Sequence, residues 1–188
     1  ELDSAKVKVS DLFTKTLYKN HFYGHSYTNV LEDIDKVTLD DVRKAYSEIL
    51  ENSNKTLVLV GDINDKDAEA LLNKYLSHFP APKDVESLIP APSPLHNEYA
   101  ELVKEDAQQA QILQGWLVPT IGSEDYPKIM LLNIILGASG LSSRLFLELR
   151  EKKGLAYTVR TSYETHLQAA VFSIYIGTEP SNIQTSID

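Results

Sequence analysis

The run from Gly140 to Val159, GLSSRLFLELREKKGLAYTV, constrains this chain more than any other stretch, because a helix, its stop and a strand follow one another there with no room for a loop. Leu141, Leu145, Phe146 and Leu149 recur at helical spacing on one face, while Arg144, Glu148 and Lys152 fall away from it. Glu148 precedes Lys152 by one turn, the favourable order for an ion pair. Ser142 or Ser143 can cap the start. Lys152 and Lys153 bring positive charge to the carbonyl end of the helix, where the dipole favours it, and Gly154 supplies the left-handed residue that ends it. In the strand that follows, alternation predicts Leu155, Tyr157 and Val159 on one face, so that Tyr157 emerges beside the helix end carrying Arg150.

The same signals place the other elements. Thr38 and Asp41 form a capping signature ahead of Leu39, Val42, Tyr46 and Ile49, which predicts a helix to about Leu50. Asn52, Ser53 and Asn54 break it, and Thr56 to Val60 is a continuous apolar, β-branched run expected to form a strand buried on both faces. Asn64 or Asp65 then caps a helix through Ala68, Leu71, Leu72, Tyr75 and Leu76. Five of the eight prolines lie between Pro80 and Pro94, and proline removes a ladder donor and disfavours helix at the residue before it. This stretch reads as a linker. Beyond it Gln108 to Val118 predicts a strand, Glu124 or Asp125 opens a helix to Gly137, and Leu155–Tyr163 and Ala169–Thr178 alternate as an antiparallel pair. The fold class is α+β or α/β, a two-layer sandwich of a mixed, mainly antiparallel sheet with helices packed on one face. Thr56–Val60 is expected to share a sheet with elements across the linker, because an unpaired buried strand leaves costly polar groups.

With 43% hydrophobic residues over 188 positions the chain can bury a core. A net charge of −9 and a pI near 5.0 oppose nucleic acid and anionic membranes as partners. No apolar stretch has the length to span a bilayer, and the longest, around Ile129 to Leu136, is interrupted by Asn133. The absence of cysteine excludes disulfides and thiolate metal sites and leaves the compartment open. The chain starts at Glu1 and stops at Asp188, just after Pro180 and Asn182 signal the start of another helix, so both ends read as cut.

Several residues invite chemistry. His21 and His25 have the spacing of a helical zinc pair, but Gly24 lies between them, no glutamate takes the inner position and no third ligand is near, so a surface or packing role is expected. His78, His96 and His166 are isolated. Gly137, Ala138, Ser139 and Gly140 precede a helix as a phosphate cradle would, yet lack the Lys-Ser/Thr continuation and the preceding strand, and Gly61-Asp62 reads as a turn. Glu32, Asp33, Asp35, Asp40 and Asp41 read as solvated faces and caps. No G-x-S-x-G elbow surrounds the serines.

HFYG near the start, TLVLVGDI, KYLSHFPAP, the block YPKIMLLNIILGASGLSSRLFLELREKKGLAYTV and the strand pair ending in IYIGT occur in an order that resembles the pitrilysin/insulinase-type (inverzincin) zinc metallopeptidases, in particular bacterial zinc proteases similar to the mitochondrial processing peptidase. The segment HFYG departs from the family's H-P-Y-G by Phe22. The resemblance implies the fold shared with that peptidase and with LuxS, and implies that residues 1–81 are the latter part of a first family domain, 82–98 a proline-rich linker and 99–188 the first part of a second, substrate-clamping domain. The family's H-x-x-E-H motif is absent from these residues. The resemblance therefore implies a C-terminal region of a zinc endopeptidase that cleaves peptides in a closed chamber, with zinc in the full-length protein or a partner subunit and none bound by this chain, which alone is expected to be inactive. Its implied partners are a peptide substrate, the zinc-bearing N-terminal domain or subunit, and a second chain in a homo- or heterodimer. Arg150 and Tyr157 match the family's substrate and oxyanion contacts. The alternative is a non-catalytic partner or scaffold subunit of the same family.

Overall fold

The computed structural model of this chain describes residues 3–53, 55–77, 79–80 and 89–188; His78 and the first part of the proline-rich stretch lie outside them. The chain forms two compact units, Glu1–Val30 with Ile89–Asp188, and Leu31–Leu88.

The larger unit opens with α1 (Ala5–Leu17), capped by Ser4, and a 3-10 turn at Phe22–Gly24. The chain continues through α2 (Tyr27–Asp33) into the smaller unit. There α3 (Leu39–Asn52) begins in the predicted capping box, in which the Thr38 side chain accepts from Asp41 N–H and the Asp41 carboxylate accepts from Thr38 N–H. Asn64 caps α4 (Asp65–Leu76). Neither α3 nor α4 has a buried residue. Between them the expected strand is absent: Thr56–Val60 has no ladder partner among the described residues, and Val58 and Val60 are 76% and 93% exposed. Apolar, β-branched composition favours extended backbone, but a strand exists only where a second strand accepts its hydrogen bonds.

Back in the larger unit, β1 (Ala110–Val118), β2 (Ala156–Thr165) and β3 (Ala170–Thr178) form an antiparallel sheet in the order β1-β3-β2. Register pairs Ile112 with Ile176 and Val159 with Ile176, so these residues share one face. That face is covered by α5 (Tyr126–Asn133), the π-turn that continues it (Ile134–Ala138) and a π-helix (Phe146–Lys152). Its core joins Ala156, Val159 and Ile176 to Leu145, Phe146 and Leu149. Leu141, expected with them, is 73% exposed, because a 3-10 turn at Gly140–Ser142 takes it out of the helical phase. The π-turn lies against β2: Thr161 donates to the Asn133 side-chain oxygen at 2.6 Å, and a Cβ on Gly137 would strike the Thr161 backbone.

On the opposite face α1 covers the end of the sheet nearest the β2–β3 turn. Leu17 and Tyr18 bury against Ala169 and Val171, with Phe13, Tyr23 and Leu117 around them. Phe13 lies where a Cβ on Gly115 would sit. Residues on both sides of the proline-rich stretch therefore share one core, although Thr56–Val60 takes no part in it. A short α6 (Ile183–Ile187) closes the chain, with Ser186 beside Thr178.

Candidate functional site

The helix-glycine-strand corner forms where its residues predict, with two departures, the π register of its helix and a bulge in its strand. Ser143, fully buried and extended at φ −72° and ψ 150°, starts the helix: its carbonyl accepts from Leu147 N–H at 3.0 Å and its hydroxyl donates to Gly140 O at 2.7 Å. The helix then widens into π register. Lys153 N–H reaches back five residues to Glu148 O, and Leu155 N–H reaches Leu149 O at 2.8 Å. Gly154 sits at φ +63°, the left-handed stop its position predicts. Glu148 pairs with Lys152 at 2.6 Å, which holds the Glu148 carboxyl below the usual range.

Arg150 occupies the last turn of this helix. Its guanidinium lies 5.0 Å from the centre of the Phe146 ring, is exposed, and has no carboxylate partner among the described residues. Tyr157 stands at the start of β2, where the ladder breaks step: Ala156 pairs with Thr178 and Thr158 with Gly177, so Tyr157 is the extra residue of a β-bulge. The expected alternation fails there. Ala156 and Val159 are buried under the helices, while Tyr157, skipped by the ladder, and Thr158, opposite Gly177, are both exposed. Tyr157 is 53% exposed, and its hydroxyl has no hydrogen-bond partner among the described residues. The corner thus carries Arg150 and Tyr157 at the two ends of one tight connection, Arg150 on the helix side and Tyr157 on the open side of an edge strand, with no direct bond between them.

His21 and His25 do not make a metal pair. The Nδ1 of His21 accepts from Tyr23 N–H at 3.1 Å, and its Nε2 lies 2.8 Å from Pro90 O, so both ring nitrogens are taken up in local packing. No three His, Asp or Glu side chains converge as metal ligands among the described residues. His166 is not isolated, as sequence spacing suggested. It stacks on Tyr23 with ring centres 4.4 Å apart, and Tyr23 accepts from Gln168 N–H. Gly140, at φ +67°, turns one helix into the next, the tight connection its sequence predicts.

The model of the peptidase M16 inactive domain matches residues 36–188. The chain belongs to that family. This M16 inactive domain is 29% identical to the uncharacterized zinc protease YmxG of Bacillus subtilis over 94% of its length, covering 42% of that relative. It is also 29% identical to the zinc protease PqqE of Helicobacter pylori, over 90% of this chain and 38% of that one. A probable inactive metalloprotease of Bacillus subtilis, YmfF, matches at 23% over 97% of the chain and 42% of the relative. Among solved structures, a peptidase M16 inactive domain from Pseudomonas fluorescens superposes with a TM-score of 0.76 at 25% identity, covering 96% of this chain and 43% of that one. The M16 inactive domain thus spans about two fifths of the relatives it matches. Two of these relatives, YmxG and PqqE, are named zinc proteases, and the described residues of this chain do not fit a zinc site.

Proposed function

We propose that this M16 inactive domain is the substrate-contacting part of a zinc metalloendopeptidase that cleaves peptides in a closed chamber, its zinc held outside this chain by an N-terminal domain or a partner subunit. On this reading residues 1–81 end a first domain, 82–98 link, and 99–188 begin the second, within a homo- or heterodimer. The observation that carries it is the pair of unpartnered donors, Arg150 and Tyr157, on one rigid corner. A guanidinium without a carboxylate and a phenol without an acceptor are both free to bind a peptide carbonyl or the negative charge that develops on it during cleavage. The core of Leu145, Phe146 and Leu149 anchors the helix that carries Arg150, and the pairing of Ala156 and Thr158 with β3 anchors the strand on either side of Tyr157.

The test is kcat in the full-length protein with folding and metal content checked. Tyr157→Phe removes one donor and lowers kcat by on the order of 100-fold, the usual cost of an oxyanion-type contact. Arg150→Ala is at least as damaging, and Arg144→Ala, on the outer helix face, is nearly silent. If Tyr157→Phe and Arg144→Ala behave alike, the corner is scaffold. A second reading, a non-catalytic partner subunit, draws on the relative named a probable inactive metalloprotease. A parent sequence without H-x-x-E-H, inert alone but required for cleavage by another subunit, would favour it.

A further inference from the structure

Tyr157 opens onto a part of the sheet that α1 leaves uncovered. By register Thr158, Arg160 and Ser162 of β2 share this face with Gly177, Tyr175 and Ser173 of β3, and Gln111 of β1 lies beside Gly177. Arg160 is the cation of the patch. Its guanidinium lies 5.2 Å from the centre of the Tyr175 ring, and the Tyr175 hydroxyl donates to the Gln111 side-chain oxygen, so three strands hold one arginine in place. Burial raises the Tyr175 phenol, against the opposing pull of Arg160, and so keeps it a donor. Arg160 is exposed and has no acidic partner among the described residues, although the chain carries 27 acidic residues against 18 basic ones. A guanidinium held over an aromatic ring presents a planar fork of donors, the geometry that matches a carboxylate. Gly177 lies between Thr158 and Gln111 with no side chain of its own: a Cβ there would sit in ordinary contact, 3.5 Å from the Gln111 side-chain oxygen and 3.8 Å from the Thr158 Cβ.

We infer that Arg160, seated on Tyr175, is a specificity-determining residue that selects an acidic side chain in a peptide lying along this open face. The inference rests on the proposed peptide-contacting role of the corner and names the substrate chemistry that the neighbouring surface prefers. Extended peptides place alternate side chains on one side, so a peptide held at Tyr157 can present a side chain to Arg160 further along β2. In a chain of net charge −9 a long-range field disfavours acidic peptides, so the effect of Arg160 is local and depends on position in the peptide.

The experiment uses the full-length protein and fluorescein-labelled nonapeptides in which one Glu is moved through an otherwise neutral sequence, each paired with its Gln counterpart. Anisotropy gives binding whether or not the peptide is cut, and kcat/KM is read where it is. The expected result is one position at which Glu is preferred over Gln by about tenfold, as for a hydrogen bond to a charged group. Arg160→Gln abolishes that preference and Arg160→Lys restores part of it, with the melting temperature unchanged because Arg160 is on the surface. Tyr157→Phe lowers kcat on Glu and Gln peptides alike and leaves their ratio intact, so loss of the corner's role is distinguishable from loss of this one. Equal binding of Glu and Gln peptides at every position, or a preference that survives Arg160→Gln, overturns the inference.

Discussion

Tyr18 is 4% exposed, yet its hydroxyl has no hydrogen-bond partner among the described residues. Burial first, then the nearby Glu164 and Tyr23, push its phenol up to about 12. A buried donor left unmatched is destabilising, so Tyr18→Phe, which keeps the ring contacts with Tyr23 and His166, is expected to stabilise the larger unit by about 1 kcal/mol in urea titration. Thr161→Val has the opposite sign: it strips the donor from both oxygens of the buried Asn133 and should cost about 1–3 kcal/mol. Asp3 supplies a pH dependence. Hydrogen bonds from Lys8 and then Lys104 hold its carboxyl at about 2, below the ordinary 3.8. A depressed folded value means that this tether is complete above the ordinary value and is lost as pH falls toward 2. The protection of the Ala107 amide, whose N–H closes the turn on Lys104 O, taken relative to its intrinsic exchange rate at each pH, should therefore fall across that window and with added salt.

The helix-glycine-strand corner was legible in the sequence because each of its signals is local: heptad-like apolar spacing, a lysine-rich last turn and one glycine. Gly154→Ala tests the glycine. At φ +63° a Cβ costs about 1–2 kcal/mol, to be read as a lower melting temperature with the sheet otherwise intact. The π register and the bulge were not legible. Both depend on how β2 meets β3, where Thr178 is bound to Leu155 O and Ser186, and no period within β2 itself encodes that one residue must be skipped. The consequence fell on the candidate site. Alternation put Tyr157 with Val159, whereas the bulge takes Tyr157 out of step with it and leaves it near Arg160, which sequence reading missed because a lone arginine in a strand carries no motif.

Across the whole molecule the two units differ in what they bury. The larger has two clusters of buried residues, one on each face of its sheet, while α3 and α4 bury nothing and Thr56–Val60 stands unpaired. Hydrogen exchange on this chain should find β3, flanked on both sides, the most protected segment and the amides of Thr56–Val60 almost unprotected; equal protection of the two would contradict the described pairing. Composition could foresee an apolar strand but not the presence of a neighbour to pair with it. The bulge at Tyr157 has a further effect, on association. β2 lies at the margin of the sheet, where a straight strand would offer a second chain an unbroken row of amide and carbonyl groups. One surplus residue twists that row out of line, and the charged Arg160 stands just beyond it. Deleting Tyr157 would straighten the margin as well as remove a phenol, and fibril formation, followed with an amyloid dye, should accelerate in the deletion while remaining unchanged in Tyr157→Phe. On this argument the surplus residue guards the sheet margin against pairing between copies of the protein, a task separate from anything its phenol does.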